Sequence, residues 1–550
     1  MRRAQLIVVA VAAGLALADS SIVALALPPL LTEFNTSITG VAAVIGVYTL
    51  VLAVGIWPAA WLARRLGAAH VGAIGMLVFA GASIGCALSD TLTTLLIFRA
   101  IQAAGGAAGL LAGFDLMDAG GHDASLGRRL WIAAAVFGSA AGPAIGGALT
   151  EALDWRAIFV AQAPIGIAAA IACWSLPVPA PGAHATGPIR WRPTIALAAI
   201  SAALTAVLFL LVLQLVAGWS IEPLSAALTV TVLPVAAIAA SRIRGTALVR
   251  ASCGCLFVVA GAVGLAYLPD AELKWTILPQ VLAGIGMGLA FPALAGGMLP
   301  ERTSGDAARL LIARHAGIVV ALLVLAPVVA HQLDTITETA RYQGVAVVLD
   351  AKLDPRDKIA LAPALMGGID SDDPRGGLQD AIDRNSAQFV GEDAVIFDGM
   401  ANRLDDVIVA AVGKAFKPAY LITAALALAA ALVLVVGVRF RAAALATTTA
   451  VALLCATWVV VAIRIDDRNR PAPVVLADPC QDRQQPDSGG IFGAIQDFAL
   501  NRLDRAACEF GSSREELVLA LADDAENKRF QAKYHEDPRS VGGILEGLFG

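Results

Sequence analysis

The sequence predicts an all-α integral membrane protein, and three observations carry that prediction. Of 550 residues, 58% are hydrophobic and 15% charged, against about 45–50% and about 25% in soluble domains. Mean hydropathy is +0.75. The apolar residues gather into thirteen stretches, near 5–28, 41–63, 71–89, 93–115, 130–150, 157–176, 193–216, 222–240, 251–268, 275–298, 309–330, 418–438 and 442–463. Each approaches the ~20 residues that cross a bilayer as a helix. A single soluble globule and a disordered chain are both excluded. The net charge of −5 offers no basic field for nucleic acid. Six His and seven Cys are scattered without a C-x-x-C or H-E-x-x-H pattern, so neither metal nor cofactor is expected. No catalytic constellation and no Walker loop appears, so we expect neither an enzyme nor an ATP-driven pump.

The first stretch has a rival reading as a signal peptide, with Arg2 and Arg3 ahead of an apolar run and Ala16-Leu17-Ala18 before Asp19. Because the apolar run continues to Leu31 and twelve more stretches follow, we read it as a span. The arginines set the orientation. With the N-terminus inside a bacterial-type cell membrane, inner loops hold Arg64, Arg65, Arg128, Arg129, Arg190, Arg192, Arg242, Arg244, Arg250, Arg302, Arg309, Arg439 and Arg441, while Glu33, Asp90, Glu151, Asp154, Glu222, Asp270 and Glu272 lie outside. Two acidic pieces then fall outside: a loop over 331–417 and a tail over 465–550. Cys480 and Cys508 lie in that tail, where a disulfide is permitted; a bridge is expected, with two free thiols as the alternative.

Taken in order, the spans carry few polar residues. Asp19 lies nine residues before Pro28, about 13 Å below the outer helix end. A carboxylate at that depth costs about 2.5–3.5 kcal/mol on insertion scales, and function is the usual reason to keep it. Arg99 sits about 12 Å deep on the fourth span, and a guanidinium does not give up its proton. The two are therefore expected to pair, either as a proton-coupling switch or as a static ion pair. On the fifth span Gly138, Gly142, Pro143, Gly146 and Gly147 let a neighbouring helix approach and permit a bend. Gln102, Gln162, Gln214 and Gln280 either line a cavity or hydrogen-bond a neighbouring helix; Gln102, Gln162 and Gln280 are taken as cavity candidates. Cys253 and Cys255, two apart on a helix, do not face each other.

In the loop, Val345 to Leu349 reads as a short strand, and Lys352 to Asp357 and Asp370 to Gly377 read as turns. From Glu392 to Phe416 the apolar spacing is helical and amphipathic. The tail shows helical patterns over 490–508 and 513–531. Gly511 ends the first, and Ser513 with Glu516 forms a capping box that starts the second.

Several patterns together resemble the major facilitator superfamily, especially its drug:proton antiporter branches. The first helix reads Asp19-Ser20-Ser21 and then Ala24-Leu25-Ala26-Leu27-Pro28. The fourth reads Arg99-Ala100-Ile101-Gln102-Ala103-Ala104-Gly105. The fifth holds Gly138-Ser139-Ala140-Ala141-Gly142-Pro143-Ala144-Ile145-Gly146-Gly147, the antiporter pattern G-x-x-x-G-P-x-x-G-G. Trp155-Arg156 with Phe159 opens the sixth. Gly286-Met287-Gly288 through Pro292, and Arg314-His315-Ala316-Gly317, are similar to the tenth and eleventh. One motif departs: the loop after the second helix has Arg64 where the family has an Asp that latches the inner side.

The resemblance implies a twelve-helix core of two six-helix bundles around a midplane cavity. The bundles are expected over 1–176 and 193–438, with a cytoplasmic linker over 177–192, the loop inserted at 331–417, an extra helix over 439–464 and the tail beyond. It implies proton coupling at Asp19 and Arg99, and conformational gating at the five fifth-span residues. The expected function is proton-coupled export of lipophilic small molecules such as drugs or lipids, with protons and membrane lipids as the other partners. A lipid flippase, or a scaffold that binds a periplasmic or cell-envelope partner through loop and tail, is the alternative.

Overall fold

In a computed structural model of the chain, the described residues are 2–118, 130, 142–143, 145–176, 190–298, 304–367, 369, 373–438, 441–481 and 490–540. Among them every regular element is helical. In chain order these are α1 (Arg2–Val23), α2 (Leu27–Glu33), α3 (Ile38–Leu66), α4 (Ala68–Ala87), α5 (Leu92–Asp118), α6 (Arg156–Ser175) and α7 (Trp191–Leu213). There follow α8 (Pro223–Val230), α9 (Val232–Ala240), α10 (Ala247–Ala266), α11 (Lys274–Met298), α12 (Ser304–Asp350), α13 (Pro355–Met366), α14 (Pro374–Ser386) and α15 (Glu392–Val435). The chain closes with α16 (Ala442–Asn469), α17 (Gly490–Phe510), α18 (Arg514–Ala522) and α19 (Asp524–Tyr534). A further helical stretch covers 145–152. Twelve spans among the described residues are long and apolar enough to cross a membrane, with α8 and α9 making one between them. The expected fifth span, 130–150, falls largely outside the described residues.

The chain divides into two compact units. The first comprises Met1–Ala217, Ile221–Ala330 and Phe416–Arg468. Within it α4 packs on α5 and α6, α3 on α5, and α1 on α6, α5 and α3; α11 packs on α10 and α9. Small residues permit these approaches. A side chain at Gly105 would run into the α4 backbone at Gly75 and Phe79. One apolar cluster runs from Ala12, Leu17 and Leu52 through Leu197 and Ile200 to Ala427 and Leu434. Gly67, at φ 85°, makes the turn between α3 and α4 in a conformation that glycine tolerates best. Just before it Arg64 and Arg65 are exposed, with the Arg65 guanidinium 4.2 Å over the Trp61 ring. Helix α16 buries Cys455, Ala462 and Asp466, and its Trp458 donates to the Ala260 carbonyl of α10 at 3.2 Å.

The second unit comprises Gly218–Ser220, His331–Ala415 and Asn469–Gly550, so the loop over 331–417 and the tail fold together. Gln343 donates to the Val474 carbonyl at 2.8 Å and Arg403 to the Ala472 carbonyl at 2.7 Å. Arg341 pairs with Glu526 at 2.8 Å. Fully buried Arg514 meets Asp350 at 3.0 Å and Glu515 at 3.2 Å. Ala506, Ala507, Leu517, Ala520 and Phe530 form a small core. Cys480 and Cys508 are disulfide-bonded. Opening that bridge by Cys480→Ser with Cys508→Ser is expected to cost about 2–4 kcal/mol, read as a lower unfolding midpoint for the second unit.

Local readings divide here. Gly511 (φ 65°) and the Ser513–Glu516 capping box stand as expected. The helical stretch from Glu392 continues unbroken through the twelfth span as α15. The strand expected at Val345–Leu349 is instead the end of α12, because Val345, Val348 and Leu349 are buried at helical spacing and burial overrides β-branched preference. The turns expected at 352–357 and 370–377 each run into a helix, α13 from Pro355 and α14 from Pro374, with Asp373 capping α14. The second tail helix is two, since Asp523 accepts from Ala525 and Glu526 and starts α19.

Lys358 of α13 is buried in this unit, donating to the Leu349 carbonyl and to Gln496 Oε1, each at 3.0 Å. Burial pushes its ammonium from 10.5 down to about 8. Between those values the unfolded chain binds more protons than the folded one, so stability rises with pH across that window. We expect the second unit to unfold at higher temperature as pH climbs from about 8 to 10.5, and Lys358→Met to flatten that rise.

Candidate functional site: a closed ring of buried side chains

α1 is apolar from Ala4 to Ala18 apart from Gln5, and Asp19 is its one charge beyond Arg3. Asp19 and Arg99 are both fully buried. Arg99 Nη2 lies 2.5 Å from Asp19 Oδ2, which joins the first and fourth spans. Arg99 Nε donates to the Val44 carbonyl at 3.2 Å and Nη1 to Gln102 Oε1 at 2.7 Å. Its guanidinium lies 4.2 Å over the Tyr48 ring and 5.6 Å over Phe159, a favourable setting for a desolvated cation. Tyr48 donates to the Ala16 carbonyl at 3.0 Å.

Gln102 and Gln162 are also buried. Gln102 Nε2 donates to Ser83 Oγ and to Gln162 Oε1, each at 2.8 Å. Gln162 Nε2 donates to Asp19 Oδ1 at 3.0 Å. Asp19, Arg99, Gln102 and Gln162 therefore close a ring across α1, α5 and α6, with Ser83 tying it to α4. The sequence offers these two glutamines as cavity candidates; the structure engages both in the charge site. Gln280 stands apart, buried on α11 and donating to Thr276 of its own helix at 2.9 Å. Tyr48 and Ser83 were missed, since one aromatic and one serine on apolar helices give no pattern.

Gly142, Pro143, Gly146 and Gly147 are buried, while Gly138 lies outside the described residues. A side chain at Gly142 would strike Ser21 and come 3.4 Å from the Ala18 carbonyl oxygen; one at Gly146 would overlap the Ile22 carbonyl. The fifth-span glycines thus pack on the stretch of α1 that carries Asp19. Toward the predicted outer end, Arg156 Nη2 reaches Glu33 Oε1 at 2.7 Å and Trp155 Nε1 donates to Glu33 Oε2 at 3.1 Å. The hydrogen bond from Arg156 is the main force holding the Glu33 carboxyl below the usual carboxylate range.

Apolar helices packed through small residues around a buried charge ring define a polytopic helical membrane protein. The family model described as Major Facilitator Superfamily matches residues 9–305. The chain belongs to that superfamily. It is similar to a protein named putative multidrug resistance protein MdtD of Pectobacterium atrosepticum, at 36% identity over 160 residues, 29% of this chain and 34% of that one. It is also similar to the tetracenomycin C resistance and export protein of Streptomyces glaucescens, at 32% identity over 169 residues, 30% and 31% of the two chains. The chain thus spans about a third of the length of these curated relatives. Its fold is like that of a bacterial homolog to the human lysosomal transporter Spinster, solved in an inward-facing and occupied conformation. That match has a TM-score of 0.54 at 14% identity, over 86% of this chain and 99% of that one.

Proposed function

We propose that the chain is a proton-coupled exporter of lipophilic small molecules such as drugs or lipids, working by alternating access. The observation that carries this reading is the fully buried Asp19–Arg99 pair at 2.5 Å. A carboxylate in that setting is costly unless paired, and it can take up a proton. Protonation discharges Asp19 and loosens its hold on Arg99, so the α1–α5 contact differs between the two states. The glycines packed against α1 at Ser21 and Ile22 are the gating elements, placed where a shift of α1 is felt directly. The names carried by MdtD and the tetracenomycin protein support export as the direction and drugs as the class. The arginine distribution supports a cytoplasmic N-terminus in the cell membrane and an outer position for the loop and tail.

A second reading rests on the second unit, in which loop and tail fold together: a scaffold binding a cell-envelope partner. Ethidium efflux from cells separates the two. Export predicts faster efflux on expression, abolished by a protonophore and by Asp19→Asn; efflux identical to the vector control, from protein shown to be in the membrane, favours the scaffold.

A further inference from the structure

We propose that Gln162 is a positioning residue for Asp19, with its amide polarised by Gln102 and Arg99 so that the ring holds the carboxylate and opens as a unit when a proton arrives. This rests on the proton-coupled reading of the same site.

The polarity follows from which groups can donate. Arg99 donates only, so the atom of Gln102 that faces it must be the carbonyl oxygen. Ser83 gives the same answer independently. Its hydroxyl hydrogen is committed to the Phe79 carbonyl at 2.7 Å, so toward Gln102 it can only accept. The Gln102 amide nitrogen therefore donates to Gln162, and Gln162 must present its carbonyl there. Its own nitrogen is left facing Asp19 Oδ1. Turning the Gln162 amide would set donor against donor at Gln102, and Gln102 cannot turn against both Arg99 and Ser83. Each bond in the circuit thus has one direction.

The consequence lies at Asp19. Gln162 Nε2 faces Oδ1 and Arg99 Nη2 faces Oδ2, and both are donors. Two further titratable side chains that interact with Asp19 are Tyr48 from α3 and Cys86 from α4. Tyr48 commits its hydroxyl to Ala16, and Cys86 points its thiol at Gln102 Oε1 at 3.9 Å. α6 contributes the Gln162 amide. When a proton adds to the carboxylate, one O–H bond forms and the negative charge is lost. The new donor meets no acceptor in the closed ring, so the acid form is accommodated by breaking it. α1, α4, α5 and α6 all hold part of the ring and all feel the event.

The test reads Asp19 itself and needs no substrate. In pH-induced infrared difference spectra of the reconstituted full chain, the carboxylic C=O stretch is assigned to Asp19 by its absence in Asp19→Asn. Gln162→Leu is expected to move the midpoint of that band to higher pH by about one unit, the scale of one hydrogen bond to a charged group. Gln102→Leu is expected to move it the same way, because a freed Gln162 can turn its carbonyl to the acid. The double variant is expected to shift by less than the sum of the two, as coupled residues do. Unfolding temperatures report folding separately. Midpoints equal to wild type in both single variants, or shifts that simply add, overturn the ring. No Asp19 band at any pH in wild type overturns the proton-coupled reading instead.

Discussion

Arg99→Leu is expected to destabilise the first unit by about 3–5 kcal/mol, because it strands Asp19 as a buried charge without its cation. Asp19 keeps one neutral donor, Gln162, and both partners of the lost pair are fully buried. Asp19→Leu with Arg99→Leu is expected to regain most of that stability, since an apolar replacement of both partners removes the desolvation penalty. Transport does not return with it. Thermal unfolding of purified protein beside ethidium efflux separates the two effects. A double variant that transports would show the pair to be structural alone.

Gly146→Ala carries the second large effect. The added methyl overlaps the Ile22 carbonyl, a backbone atom that no rotamer change removes. α1 must shift away from the fifth span three residues beyond Asp19. Overpacking of this kind costs about 1–3 kcal/mol, and we expect efflux to fall to the vector level. Gly46→Ala on α3 is the control, because a side chain there meets nothing within 4 Å. It is expected to transport like wild type. Equal activity in the two variants would remove the fifth-span contact from the mechanism.

Much of the transmembrane fold was legible because bilayer crossing imposes a length and a composition that a one-dimensional reading detects. The charge site was legible for the same reason: Asp19 and Arg99 are the charges set well inside apolar helices, away from the charged helix ends, and their sequence positions put them at one depth. The ring was not legible. Gln102 and Gln162 are sixty residues apart, and whether a glutamine lines a cavity or closes a circuit depends on which atoms it meets. The second unit was legible least. Val345–Leu349 has the composition of a strand, and only its burial at helical spacing on α12 shows otherwise. Nothing in local spacing announced that Arg341 would meet Glu526 or that buried Arg514 would meet Asp350.

Proton movement through Asp19 is the central claim, and liposomes test it most directly. The protein is reconstituted with a pH-sensitive dye trapped inside, and ethidium or a lipid analogue is added under an imposed gradient. Wild type is expected to show substrate-dependent proton flux, and Asp19→Asn, equally folded and equally inserted, to show none. Substrate-dependent proton flux of the same size in both proteins would contradict the account.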